Sequence, residues 1–456
     1  MVRETTVTEI SWGPRQTGAR KMTQLLLAWL LMVPLVVLAV HTQFSFQQGS
    51  RNSDEGQSLA LQIASSDAGV SVAYRILVYV AYAMILWLIF THLSRVLHAA
   101  SQCKPALLLC GIVLASVIWS QAPFISLRTG LYYLVDTFFA FYLLSAFNLE
   151  ELMDLMMMLG TTLAILSALM IVAFPQYGLV QQTAHHGVWQ GIFAEKNDAA
   201  KNWLFLLTPV CNRRIFQPRS MIYASMILLF LGMTKSATAI VAFAIYAAFM
   251  MCLPFFRRLS LRRAAFSIAV VAVITVLSAS VMIEIAPHVA GLLGRDPTLT
   301  GRTDIWAVLL QSVQKHPMLG YGYSAFWMGT AGESGLVYMA IHWSFGYAHN
   351  GFLEVLLQLG ILGVAAVLLM LLQAATNALV CVRNEASLGV EWLAGLVFLT
   401  LLYNIDEGTM LFSRSLMSVI FVVTCGGLAM ARAQRQERVR AAASAGRRVV
   451  EAVGHA

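Results

Sequence analysis

Charged residues are scarce in this chain. Asp, Glu, Lys and Arg make up only 11% of its 456 residues, and 59% of the residues are hydrophobic. A soluble domain carries about 25% charged residues, so this composition excludes a soluble globular enzyme. The chain is predicted to be an all-α integral membrane protein.

Cysteine is also scarce, and none of the six cysteines has the CxxC spacing of a metal site. All six map to predicted cytoplasmic loops or to the inner halves of predicted spans, where thiols stay reduced. We therefore expect no disulfide, no metal ion and no cofactor. There is also no internal repeat of the kind that many transporters show.

Long apolar runs fill most of the sequence. About 20 apolar residues cross a bilayer as a helix, and we predict about twelve transmembrane helices. The runs lie at roughly 22–40, 72–91, 106–119, 130–147, 155–174, 199–211, 219–234, 236–254, 265–285, 353–375, 391–406 and 410–431.

The basic residues predict the orientation of these helices. With the N-terminus inside, twenty of the thirty Lys and Arg residues fall in cytoplasmic segments, as the positive-inside rule requires. Both termini are therefore predicted to be cytoplasmic. The net charge of +8 is then a topology signal, and nucleic acid is not an expected partner. The first run is interpreted as a retained signal anchor, and its cleavage would leave eleven spans.

This topology divides the chain into five parts. A cytoplasmic tail (1–21) precedes helices 1–9 (22–285), and a long periplasmic loop follows (286–352). Helices 10–12 (353–431) lead to a basic cytoplasmic tail (432–456). Connections on the inside are short, so chemistry is expected in the longer external segments.

The long external loop has its own helical pattern. Its segment TDIWAVLLQSVQKHP predicts an amphipathic helix with Thr303 as N-cap and Pro317 as its stop. The apolar face is Ile305, Trp306, Leu309, Leu310 and Val313.

Aromatic residues follow this helix in the segment LGYGYSAFW, which includes Tyr321 and Tyr323. Such rings commonly anchor a protein at the membrane interface, and they also stack on sugars. Either role fits the sequence.

Four segments carry a family resemblance. They are WSQAPFISLRTG (119–130), GIFAEKN (191–197), GRTDIW followed by HPMLGYGYSAFW (301–327), and His349-Asn350 followed by Gly360 and Gly363. In this order they resemble the superfamily of O-antigen ligases and Wzy-type polysaccharide polymerases, most of all its exopolysaccharide polymerases. The resemblance implies a GT-C-like glycosyltransferase that uses undecaprenyl-pyrophosphate-linked glycans at the periplasmic face of the bacterial inner membrane.

A polyprenyl pyrophosphate leaving group gains negative charge in the transition state, so fixed cations are expected beside it. Arg302 is the first candidate, because an arginine at a helix start joins bidentate contacts to free backbone N–H groups. A salt bridge to Asp304 is the structural alternative. Lys235 in GMTKSATA and Lys196 in AEKND are further donor-binding candidates, and so is Arg128 in SLRTG. Snorkelling of Lys235 and headgroup anchoring of Arg128 are their structural alternatives.

His349 is the candidate for the acceptor side. A sugar hydroxyl loses a proton as it attacks the anomeric carbon, and imidazole ordinarily titrates near neutrality. Asn350 is expected to hold the ring or to bind sugar hydroxyls. The alternative is a histidine that only forms a polar cap at the membrane surface.

Three function classes compete. A polymerase joins lipid-linked repeat units into exopolysaccharide or O-antigen, with a chain-length regulator as a further partner. A ligase moves finished glycan onto lipid A core or a protein. A polysaccharide transporter or flippase is the third, but transporters usually have charges near mid-span and paired halves.

Overall fold

The computed structural model describes residues 26–30, 32, 72–181, 186–193, 195–210, 217–256, 302–341, 346–384 and 387–454. From residue 72 onwards its helices are α1 (Val72–Thr91), α2 (Leu93–Gln102), α3 (Lys104–Ala115), α4 (Pro123–Ala146), α5 (Leu149–Ala173), α6 (Lys196–Leu207), α7 (Pro218–Met233), α8 (Ala237–Phe256), α9 (Arg302–Lys315), α10 (Gly332–Ile341), α11 (Gly351–Asn384), α12 (Leu388–Tyr403) and α13 (Leu416–Gly454). Short helical turns lie at Ser116–Ile118, Pro175–Gly178 and Thr208–Val210. The all-α prediction agrees with these described ranges, where pairing between extended segments is limited to one isolated bridge, Leu179 with Trp189.

Fewer helices than predicted have the length and composition of a membrane span. In the described ranges four qualify, namely α5, α8, α11 and α13, and the pair α1–α2 is a fifth candidate although it bends by 86°. Apolar helices of the α3, α7 and α12 regions are shorter. The prediction of twelve spans is therefore not confirmed. The predicted run 265–285 and most of the run 22–40 lie outside the described residues.

Helix α13 forms the centre of the bundle. In an apolar stretch of 18 residues within α13, 89% is buried inside the protein. The corresponding share for α8 is 28%, so α8 lies at the periphery. It packs against α4, α11 and α12, and α3 packs against both α4 and α11. The outer faces of the long helices expose large apolar side chains such as Leu372 and Val172. Such a surface suits contact with lipid rather than water, and the chain is a multi-pass membrane protein.

A second, smaller hydrophobic cluster joins α9 and α10 to the start of α11. One face of α9 packs in this cluster through Ile305, Leu309 and Val313. The predicted amphipathic helix is therefore present. Two details differ from the prediction. The helix begins at Arg302, so Thr303 lies in its first turn rather than at the N-cap. Leu310 is exposed, because it lies off the packed face.

Helix α11 is broken at Gly360, whose φ is +63°. The carbonyls of Pro317 and Met318 accept hydrogen bonds there from the N–H groups of Ile361 (2.9 Å) and Leu362 (3.2 Å). A Cβ at Gly360 would overlap the Met318 backbone. The sequence spacing of Gly360 and Gly363 is typical of close helix–helix packing. The structure gives Gly360 a different role, because the break in α11 at this residue allows the helix to form hydrogen bonds with the loop after α9.

Candidate functional site

Asn350 caps the start of α11. Its side-chain oxygen accepts hydrogen bonds from the backbone N–H groups of Phe352 (3.0 Å) and Leu353 (2.9 Å), which is the N-cap arrangement. Its side-chain amide donates to the carbonyl of Ile405 at 2.8 Å. Both polar atoms of Asn350 are thus bonded within the protein, and they fix the backbone beside His349.

Residues 404–409, here called the 404–409 loop, follow α12 and lie against this helix start. The Asn404 side chain organises the loop, accepting from the Thr409 N–H at 2.9 Å and donating to the Thr400 carbonyl at 2.7 Å. The Asn404 carbonyl accepts from the N–H of Gly351 at 2.9 Å. A Cβ at Gly351 would overlap the Asn404 side chain, so this approach requires glycine.

His349 lies where these two segments meet. Its Nδ1 is 3.6 Å from Oε1 of Glu407, and the two residues are 9% and 3% exposed. The ring of Tyr347 lies 4.1 Å from that of His349, centroid to centroid. His349 has a φ of +49°, a conformation that non-glycine residues rarely adopt. Such outliers persist where surrounding contacts impose them and are common at active sites.

The start of α6 faces the same histidine. Glu195, the residue before α6, interacts electrostatically with both His349 and Glu407. Burial, and then the Asp198 carboxylate, raise the pKa of Glu195, while His349 opposes this change. The buried Glu407 carboxylate and the half-buried Glu195 carboxyl group therefore both lie within electrostatic range of the His349 imidazole.

Two lysines accompany this helix. Lys196, the first residue of α6, is half-buried, and burial lowers its pKa. Lys201 pairs with Asp198 at 2.8 Å and interacts electrostatically with Glu407 and Glu195. Lys201 was not among the predicted site residues, although it lies in the same segment as Lys196.

Lys235 occupies the tight connection between α7 and α8. It is exposed and has a φ of +50°. Three residues later, the Thr238 hydroxyl donates to Oδ2 of Asp406 at 2.5 Å. Because Asp406 precedes Glu407, the backbone of Lys235 lies near the 404–409 loop. The N-terminal ends of α6, α8 and α11 therefore converge on one loop.

Helix α9, which begins at Arg302, is attached to the residue before His349. The indole Nε1 of Trp306 donates to the carbonyl of Ala348 at 2.8 Å, and Ile305 packs in the same cluster as Ala348. Trp306 lies about one helical turn after Arg302. The first turn of α9 is thus held beside the His349 segment.

Tyr321 and Tyr323 have extensive contacts inside the protein. The Tyr321 hydroxyl donates to the Ser312 carbonyl at 2.8 Å, and the Tyr323 hydroxyl to the Leu411 carbonyl at 3.3 Å. Burial raises the pKa of Tyr321 to about 12, and it also raises the pKa of Tyr323. Both rings are buried, so these contacts are structural, and a role of either tyrosine in substrate binding stays a prediction.

The tyrosine segment is bound to the start of α4. Gln121 donates from its backbone N–H to the Tyr321 carbonyl at 3.0 Å, and the Ser126 hydroxyl donates to the Tyr323 carbonyl at 2.8 Å. Arg128, two residues after Ser126, is half-buried. The described contacts therefore associate its helix with the tyrosine segment rather than with His349.

Glu354 connects this segment to the His349 segment. Its buried carboxylate accepts from Trp327 Nε1 at 2.9 Å, from the Ala348 N–H at 2.8 Å and from Gln358 Nε2 at 2.6 Å. Gln358 in turn accepts from the Ser324 N–H at 2.8 Å. One carboxylate on α11 thus orders both of these segments around it.

Comparison with known proteins supports the predicted resemblance. Residues 222–368 match the family model described as O-Antigen ligase. Over 341 residues the chain is 25% identical to the exopolysaccharide production protein ExoQ of Rhizobium meliloti (strain 1021), covering 70% of this chain and 75% of that protein. The family resemblance is confirmed. The matched range contains Lys235, Arg302, Tyr321, Tyr323 and the His349-Asn350 pair, whereas Arg128 and Lys196 lie before it.

The 404–409 loop was missed by the sequence analysis. Asp406 is the last residue of the predicted run 391–406 and Glu407 follows it, and the two have no recognisable motif spacing. One signal was available in the sequence. A carboxylate beside the hydrocarbon core of a membrane costs free energy, and residues of this kind are usually functional. Among the described residues, no three His, Cys, Asp or Glu side chains are grouped as ligands of one metal ion.

Proposed function

We propose that this protein transfers a glycan from an undecaprenyl-pyrophosphate-linked donor to a second lipid-linked repeat unit, and so builds an exopolysaccharide or O-antigen at the periplasmic face of the bacterial inner membrane. The match to the O-antigen ligase model and the similarity to ExoQ support the reaction class. The observation that carries the proposal is the buried pair of His349 and Glu407 at a loop where three helix N-termini converge.

His349 acts on the acceptor. As the acceptor hydroxyl oxygen bonds to the anomeric carbon, its proton passes to an imidazole nitrogen of His349, and the bond from that carbon to the pyrophosphate oxygen breaks. The leaving group departs as undecaprenyl pyrophosphate with the electron pair. General base catalysis of this kind contributes about 10²–10⁴-fold to a rate.

Cations near the site stabilise the leaving pyrophosphate. Lys196 and Lys235 lie at the starts of α6 and α8, where the helix dipole adds positive potential. Arg302 begins α9, which Trp306 attaches beside His349. We assign the leaving pyrophosphate to these three residues, with Arg128 as a further contact to the donor.

A ligase is the alternative, because the matching family model is described as O-Antigen ligase. The chemistry at His349 would be the same, and the acceptor would be lipid A core or a protein instead of a second repeat unit. The similarity to the exopolysaccharide production protein ExoQ favours the polymerase.

Reconstitution with a defined donor tests the proposal. Purified protein in proteoliposomes is given undecaprenyl-pyrophosphate-linked repeat units, alone or with lipid A core. Longer lipid-linked glycan and released undecaprenyl pyrophosphate are the expected products without added core. Transfer only when core is present would identify a ligase. Movement of intact donor between leaflets without any transfer would contradict both enzymes and support a transporter.

A variant in the same preparation links the activity to the site. His349→Ala should lose transfer, whereas Glu437→Gln, a change on the exposed part of α13, should keep it. Equal expression and membrane insertion of the two variants is the required control.

A further inference from the structure

Glu407 has a specific geometric relationship to His349. Its Oε1 lies 3.6 Å from Nδ1 of the imidazole, and both side chains are removed from solvent. Within the described part of the chain, this Nδ1 has no hydrogen-bond partner. A buried polar atom without a partner is unusual in a folded protein and calls for an explanation.

The backbones that carry the two residues are fixed to each other. Asn350, next to His349, donates to the Ile405 carbonyl, and Gly351 donates to that of Asn404. Two hydrogen bonds thus cross between the His349 segment and the 404–409 loop within three residues of Glu407. A separation of 3.6 Å exceeds a hydrogen bond, but small side-chain rotations are enough to close it. Catalytic hydrogen bonds often tighten in this way only when substrate is bound.

The imidazole has a second nitrogen, Nε2, whose state depends on which nitrogen carries the proton. If Nδ1 carries the proton and points at Glu407, Nε2 keeps its lone pair. A histidine base in the other tautomer would present an N–H to the acceptor hydroxyl and could not accept its proton. The side chain that selects the tautomer therefore decides whether the base functions.

We propose that Glu407 is the positioning residue of His349: it accepts the Nδ1–H hydrogen bond, fixes the tautomer with Nε2 free, and stabilises the imidazolium formed when Nε2 takes the acceptor proton. This rests on the proposed glycan transfer. The proton passes from the acceptor hydroxyl to Nε2 and leaves from there to solvent after product release. Glu407 stays ionised and touches no reacting atom.

Other ionisable groups also face this histidine. Glu195 and Glu354 interact with it electrostatically, and the Tyr347 ring lies against it. Glu354 accepts hydrogen bonds from Trp327, Ala348 and Gln358, and Glu195 precedes the first residue of α6. The Glu407 carboxylate faces Nδ1 directly, with its Oε1 at 3.6 Å from that nitrogen.

Glu407→Gln tests this assignment in the reconstituted full-length protein. The amide keeps the size of the side chain but removes its charge, and loss of a charge-assisted hydrogen bond lowers the transfer rate by about tenfold to a hundredfold. Because a carboxylate favours the imidazolium, its loss should also move the acid limb of the pH–rate profile to lower pH. Glu407→Asp should recover part of the rate. A merely structural role predicts a lower rate with no shift of the limb.

A double variant separates this inference from the proposed function. Once His349 is replaced by Ala, adding Glu407→Gln should cost nothing more, since the two residues act as one unit. Glu333→Gln, which removes the carboxylate that pairs with Lys315 at 2.6 Å, serves as the matched control and should keep the wild-type profile. Full rate and an unshifted limb in Glu407→Gln, with His349→Ala inactive, would overturn the role of Glu407 alone. Full activity of His349→Ala would overturn the proposed function itself.

Discussion

Trp306 donates a hydrogen bond from its indole to the backbone carbonyl of Ala348, the residue before His349. This contact joins the start of α9 to the start of α11, two segments that are more than forty residues apart in the sequence. The two residues assigned to opposite partners of the reaction, Arg302 and His349, are therefore carried by segments that are bonded together.

The Arg302→Ala and His349→Ala variants should differ in their affinity for the lipid-linked donor. Arg302→Ala removes a charge-assisted contact of about 1.5–3 kcal/mol and should weaken binding of the lipid-linked donor roughly tenfold to over a hundredfold. Arg302→Lys should recover only part, because the planar fork is lost. His349→Ala should bind donor nearly as wild type. Equal donor affinity of Arg302→Ala and wild type would remove Arg302 from the donor site.

Helix α9 illustrates what the sequence predicts well. Its apolar residues recur at helical spacing, and Ile305, Leu309 and Val313 are indeed its packed face. Local signals of this kind need no knowledge of the rest of the fold. The N-cap at Thr303 was wrong, since the helix begins at Arg302 and boundaries are the least certain part of such a prediction.

The 404–409 loop shows where sequence reasoning stops. The approach of Glu407 to His349 depends on the bonds of Asn350 and Gly351 to the loop, and such tertiary hydrogen bonds leave no periodic pattern. The resemblance pointed to His349 and Asn350 together. Only the structure distinguishes them, because the polar atoms of Asn350 are committed to the helix cap and to Ile405.

Gly360 should tolerate no side chain. Gly360→Ala places a Cβ against the Met318 backbone in a left-handed conformation, and the backbone strain alone costs about 1–3 kcal/mol. The matched control is Gly111→Ala on α3, where a Cβ meets nothing within 4 Å and helix propensity favours alanine by about 0.8–1 kcal/mol. Thermal unfolding in detergent should show Gly360→Ala lowered and Gly111→Ala unchanged or raised. Equal melting temperatures for Gly360→Ala and wild type would contradict the close approach.

Glu354 should be essential for order in the tyrosine segment and the His349 segment. Glu354→Ala leaves three buried donors without their acceptor, on Trp327, Ala348 and Gln358, and each unsatisfied donor costs about 1–3 kcal/mol. Limited proteolysis between residues 316 and 350 should become faster, and activity should fall. Glu437→Ala on the exposed part of α13 is the control. An unchanged cleavage pattern in Glu354→Ala would show that other contacts hold these segments.

Glu195 should make stability depend on pH. Because burial raises its pKa in the folded state, the group favours folding below its unfolded pKa, and this contribution is lost as pH rises through the folded pKa. The Glu195→Gln side chain cannot ionise, so the stability of this variant does not fall in this way as pH rises. The melting temperature of the variant relative to wild type should therefore rise as the pH increases above about 4. A constant difference across this range would mean that the Glu195 carboxyl is not perturbed by folding.

Cysteine labelling tests the predicted orientation of the protein in the membrane. Thr330→Cys should react with a membrane-impermeant maleimide added outside spheroplasts, whereas Arg440→Cys should react only after the membrane is opened. Among the described native cysteines only Cys252 is exposed, so labelling of native cysteines should be low. A variant in which Cys252 is replaced removes the contribution of this residue. Labelling of Arg440→Cys in intact spheroplasts would reverse the topology and move the site to the cytoplasmic face.

The most direct measurement is transfer by His349→Ala in proteoliposomes that hold an undecaprenyl-pyrophosphate-linked repeat unit. Wild type should release undecaprenyl pyrophosphate and lengthen the lipid-linked glycan. The variant, inserted and folded to the same extent, should bind the donor but form product about 10²–10⁴-fold more slowly. Product formation by His349→Ala at the wild-type rate would contradict the account, because the histidine held beside Glu407 would then have no part in the reaction.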